Sequence, residues 1–60
     1  MNNAEQKFHV GDLVNADTGG WLGLITNIDY NSRANVIYYL VRRFDGTNHW
    51  YTYHYLSKAH

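Results

Sequence analysis

Apolar and polar positions along this chain follow a two-residue rhythm, broken at short intervals by Gly, Asn and Asp. Two runs dominate, one from Trp21 to Tyr30 and one from Val36 to Phe44. Both are rich in β-branched and aromatic residues, the types that fit a pleated and half-buried surface. They predict two long strands, joined by the polar connection Asn31-Ser32-Arg33-Ala34-Asn35. Ile25 and Ile28 stand three apart, out of step with strict alternation, which predicts a β-bulge near Thr26-Asn27. In the second run the alternation allows two inward sets: Tyr39 with Val41, or Tyr38 with Leu40 and Phe44.

Asp45-Gly46 lies between Phe44 and the aromatic segment His49-Trp50-Tyr51. It predicts a two-residue type I′ hairpin turn, in which both central residues need φ > 0; Asp tolerates that conformation and Gly adopts it freely. A further strand is expected from about His49 to Tyr53. Upstream, Phe8 to Val14 reads as a turn that bends at Gly11 into a first strand, followed by the loop Asp17-Thr18-Gly19-Gly20. His54-Tyr55-Leu56 reads as one 3₁₀ turn, and Ser57 to His60 as a very short fifth strand or a tail. No stretch carries an apolar face at helical spacing over the roughly eleven residues a helix needs. Met1 to Gln6 is polar and aperiodic, a tail, which leaves residues 7–60 as one domain. The expectation is an all-β fold of four to five short antiparallel strands with a 3₁₀ turn before the last. Closure into a small barrel would remove the open edges of so short a sheet.

Composition narrows the function more than the fold. Sixty residues allow one small core, and a core of that size often needs a staple or a partner chain. The absence of cysteine excludes disulfides and thiolate metal sites. The apolar runs are too short to cross a bilayer, and the Asn-rich start lacks a signal-peptide core, so a cytoplasmic protein is expected. Five Lys and Arg balance five Asp and Glu. A net charge of zero argues against an electrostatically driven nucleic-acid binder and does little to keep copies of the chain apart. Two Trp, six Tyr and two Phe are more aromatics than a core this small absorbs, so some are expected at an interface.

Val10-Gly11-Asp12-Leu13-Val14, Trp21-Leu22-Gly23-Leu24-Ile25-Thr26-Asn27-Ile28, Tyr39-Leu40-Val41, Asp45-Gly46, Trp50-Tyr51 and Leu56 resemble, in that order, an SH3-like barrel of the Tudor or KOW kind. The likeness spans roughly Val10 to Leu56 and implies a fold rather than an activity, because such barrels host many unrelated functions. Type II dihydrofolate reductases, which are tetrameric SH3-like barrels, share the Gly-Asp opening, a Trp-x-Gly second strand and a Tyr before the last segment. Their pore carries Val-Gln-Ile-Tyr where this chain has Asn48-His49-Trp50-Tyr51. Only the tyrosine matches, so the activity does not transfer.

Three sets of side chains carry candidate chemistry. Trp21, Tyr30, Tyr39, Trp50, Tyr51 and Tyr53 form the candidate binding set, for protein contact or for stacking on a cation or a base. Arg33, Arg42, Arg43 and Lys58 are the candidate nucleic-acid contacts, although Arg42 and Arg43 should point to opposite faces of one strand. His9, His49, His54 and His60 are too scattered for a metal site, and neither a metal nor a cofactor is expected. Asp12, Asp17, Asp29 and Asp45 read as turn and strand-end residues, with Asp29 a possible ion-pair partner for Arg33 or a cross-strand arginine. No nucleophile has a base partner at a recognisable spacing. The expected function is therefore a non-enzymatic module that binds protein or itself, of the kind compact phage or mobile-element genomes often encode. A KOW- or Tudor-like nucleic-acid binder and a divergent reductase-like oligomer are the alternatives.

Overall fold

The computed structural model describes residues 5–17 and 20–59. Its elements are β1 (Leu13–Ala16), β2 (Trp21–Asn31), β3 (Val36–Arg43), β4 (Asn48–Tyr51), a 3₁₀ turn (Tyr53–Tyr55) and β5 (Leu56–Lys58). The strands form one antiparallel sheet in the order β4-β3-β2-β1-β5. The first four follow one another as a meander; the 3₁₀ turn then carries the chain back, so that β5 pairs with β1. Among the described residues no ladder joins β4 to β5, which stand at the two ends of the order. Among the described residues no helix is long and apolar enough to cross a membrane.

Register decides which side of each strand is buried, because residues directly opposite in a ladder share a face. Val14 lies opposite Gly23, Ala16 opposite Leu56, Ile25 opposite Val41, and Ile28 opposite Tyr39. This face holds the core of Val14, Ala16, Ile25, Tyr39, Val41 and Leu56, with Phe8 packed over it. The alternation in β3 thus resolves to Tyr39 and Val41 inward. The register slips between Ile25 and Asn27, so Thr26 is the additional residue of the expected bulge. That slip returns Ile28 to the inner face. Phe8 meets Tyr39 edge-on at 5.4 Å, and the buried Tyr39 hydroxyl accepts the Lys7 backbone N–H at 2.9 Å. A buried hydroxyl needs such a partner. Gly11, at φ 97°, makes the first bend, and its N–H donates to the Ile25 carbonyl at 2.8 Å.

The β3–β4 turn departs from the expected type I′ form. Gly46 has a positive φ of 95°, but Asp45 does not share it. The Gly46 N–H donates to the Arg43 carbonyl, and the Arg43 N–H donates to the Thr47 carbonyl. This is the longer hairpin loop in which a tight turn is followed by a left-handed glycine. The Asp45 carboxylate accepts the N–H and the hydroxyl of Thr47, which holds the longer loop closed. Phe44 consequently leaves the strand and is 72% exposed. Strand β4 also stops earlier than expected, at Tyr51. The 3₁₀ turn begins at Tyr53, its Tyr55 N–H donating to the Thr52 carbonyl, and Leu56 is the first residue of β5.

Candidate interaction surface

The outer face of the sheet follows from the same register. Leu24 lies between Leu13 on β1 and Arg42 on β3; Leu40 lies between Asn27 on β2 and Trp50 on β4. Leu22 faces the same way, opposite Asn15. Leu13, Leu22, Leu24 and Trp50 are each more than a third exposed. An antiparallel sheet with one wet face normally carries polar residues there. Here an apolar strip crosses four strands, interrupted by Arg42, Asn27 and the bulged Thr26. None of these leucines belongs to the candidate binding set read from the sequence, where Leu40 enters only through one of the two alternative inward sets of β3. Their signal was nevertheless present, because Leu22 and Leu24 alternate with Gly23 and Ile25, so β2 is apolar on both sides.

Arg43 lies on the other side of β3 from Arg42, as alternation requires. Its Nη2 donates to Asp17 Oδ2 at 2.9 Å and to the Tyr51 hydroxyl, and that hydroxyl donates to Asp17 Oδ2 at 3.2 Å. The Trp21 ring centroid is 4.8 Å from the guanidinium carbon. This cluster ties the β1–β2 loop to β3 and β4, and occupies Arg43 with an acid, a hydroxyl and an aromatic face. Asp17, read from the sequence as a loop residue, is its anionic member. Its φ of 54° aims the carboxylate from a backbone conformation rare outside glycine.

The six candidate binding aromatics do not converge. Trp21 and Tyr51 meet at Arg43. Trp50 stands on the outer strip beside a shallow groove of about 330 Å³, walled in part by Tyr38, Tyr51 and Tyr55. Tyr53 stacks on His54 with centroids 4.1 Å apart, and the Lys7 ammonium lies 5.3 Å from its ring. Tyr30 donates its hydroxyl to Asn35 near the β2–β3 turn. Tyr39 is 1% exposed and belongs to the core, so it is out of reach of a surface partner.

The candidate phosphate contacts are equally dispersed. Arg33 lies in the β2–β3 turn, while Arg42 and Arg43 end β3 at the other end of the hairpin. At about 3.3 Å per residue the two ends are roughly 20–25 Å apart. Lys58 on β5 stands 4.0 Å from the Asp12 carboxylate. Asp29 lies opposite Tyr38 in the ladder rather than opposite an arginine. Among the described residues no group of three His, Asp or Glu is placed to hold a metal; His60 lies outside them. The Thr47 N–H, then its hydroxyl, holds Asp45 below its ordinary value, and the charges of Arg43 and His49 act in the same direction.

No protein-family model, curated protein or solved structure matches the chain.

Proposed function

We propose that this chain is a non-enzymatic SH3-like module that works by binding protein, itself included, through the outer face of its sheet. The observation that carries this reading is the outer-face strip Leu13, Leu24, Leu40 and Trp50, which crosses β1 to β4 with Leu13, Leu24 and Trp50 exposed and Leu40 half-buried between them. Apolar area left in water forgoes about 25 cal/mol per Å² relative to burial, and contiguous patches of it mark contact sites. Trp50 is the anchor, since tryptophan dominates the residues whose truncation weakens interfaces. The strand order, with β5 returning to β1 after a 3₁₀ turn, agrees with the SH3-like resemblance.

Charge favours protein over nucleic acid as the partner. Arg43 is engaged by Asp17, Lys58 lies near Asp12, and Arg33 is a hairpin's length from Arg42. Among the described residues a phosphate backbone would meet no continuous basic track. The reductase alternative rests on Tyr51, whose hydroxyl is taken up by Arg43 and Asp17.

The test is the solution mass at two protein and two salt concentrations, for the native chain and for Leu24→Ser. Leu24 is 38% exposed and outside the buried core, so the substituted chain should still fold, as a cooperative unfolding transition would show. It should weaken association by about tenfold, with little dependence on salt. Association that ignores Leu24→Ser and disappears in high salt would overturn the reading.

A further inference from the structure

The apolar strip ends at β4, and β4 is an open edge. Among the described residues it pairs with β3 alone. The Arg43 N–H to Thr47 carbonyl bond, 2.8 Å long, sets the phase of that ladder. Bonded pairs alternate along an antiparallel ladder, so His49 and Tyr51 direct their backbone groups at β3. Asn48 and Trp50 therefore turn theirs outward, as does the N–H of Thr52, the residue just past the strand.

Open edges in native proteins are usually blunted by lysine, proline, a bulge or extreme shortness. The other end of the sheet has two of these devices. Strand β5 is three residues long and carries Lys58. Strand β4, Asn48-His49-Trp50-Tyr51, is only one residue longer but carries none of the other devices: no proline, no bulge and no formally charged side chain. Nothing along it repels an identical strand, and the whole chain has a net charge of zero.

We infer that the free edge of β4 pairs antiparallel with β4 of a second copy of this chain, joining two sheets into one across a two-fold axis at Trp50. The proposal rests on the protein-binding reading above and names its partner. An antiparallel strand edge is complementary to itself under a two-fold, so one surface supplies both halves of the contact. The axis follows from the outward-facing groups. Centred on Trp50, the pairing lets the two Trp50 residues exchange backbone bonds and sets each Asn48 against the partner's Thr52. It also brings the two Trp50 side chains together on the outer face, each beside its own Leu40, and makes the two apolar strips continuous.

Thr52→Pro separates the edge from the face. Thr52 has φ −84°, close to the value proline imposes, and Tyr51 before it is extended, as a residue preceding proline prefers. The substitution removes an outward N–H and places a ring carbon against the incoming strand, while Leu13, Leu24, Leu40 and Trp50 of the outer face are left unsubstituted. Sedimentation equilibrium should give a dimer for the native chain, with a dissociation constant raised at least about tenfold in Thr52→Pro. Amide hydrogen exchange at Trp50 and Thr52 should be slow in the native dimer and fast on dilution.

A dimer that keeps fast exchange at those amides and survives Thr52→Pro, yet is lost in Leu24→Ser, overturns edge pairing while leaving the face reading intact. A native chain that stays monomeric at the concentrations used for exchange also overturns the pairing. A dimer indifferent to both substitutions overturns the two together.

Discussion

Gly23 shows how closely single residues constrain this sheet. A Cβ placed on it would stand 2.5 Å from Val41 Cγ1 and 2.9 Å from the Arg42 carbonyl oxygen. The second of these is backbone and cannot swing aside. Gly23→Ala should therefore cost about 1–3 kcal/mol by overpacking. For a domain of this size that lowers the thermal midpoint by about 5 °C or more. Gly20→Ala is the control, since its added Cβ would meet the Asp17 carbonyl at an ordinary 3.5 Å. Equal midpoints for the two variants would contradict the packing argument. Tyr39 teaches the complementary lesson. Its sequence context marked it as a binding aromatic, but register sends it into the core, where the Lys7 N–H satisfies its hydroxyl. Alternation alone left two inward sets open, and only pairing with Ile28 and Tyr51 selects one.

At the scale of elements, the β3–β4 hairpin couples a turn to pH. Asp45 is ionised more readily in the folded chain than in the unfolded one, because the Thr47 N–H and hydroxyl bond its carboxylate. Such a group adds stability above its unfolded pKa and loses it as pH falls through its lower folded value. Urea unfolding of the native chain and Asp45→Asn across pH about 2.5 to about 7 checks the sign. The native chain should lead by a margin that is full near neutrality and closes in acid. A margin that widens in acid would exclude the assigned cause. The strands themselves were largely legible. The two long runs became β2 and β3, the bulge fell at Thr26, and Leu56–Lys58 formed a fifth strand. The turn type was not legible. Asp-Gly serves both the two-residue loop and the longer one, and the choice rests on Thr47 bonding back to Asp45.

For the whole molecule, the small core and the open edge of β4 lead to the same expectation. A sixty-residue chain without disulfides gains from a partner that buries further apolar surface. If that partner is a second copy, folding and association are linked by mass action. The thermal midpoint should then rise with protein concentration, as differential scanning calorimetry at two concentrations about a hundredfold apart would show. An unchanged midpoint would mean that the fold draws no stability from self-association. The Asp17–Arg43–Tyr51 cluster acts at this scale as well, because it clamps the loop after β1 to the far side of the sheet. Asp17 and Arg43 are far apart in sequence, and no local pattern marks them as a pair.

The amino-acid sequence by itself determined the all-β class, the two long strands, the bulge and the opposite orientations of Arg42 and Arg43. Each of these follows from period-two alternation and local turn chemistry, which act over a few residues. Tertiary structure decided which face of β3 is buried, that the candidate aromatics separate rather than converge, and that Asp17 belongs to Arg43. It also decided that Leu13, Leu24, Leu40 and Trp50 fall into one strip ending at an open edge. These depend on strand order and register, set by contacts between residues distant along the chain, and no local periodicity encodes them.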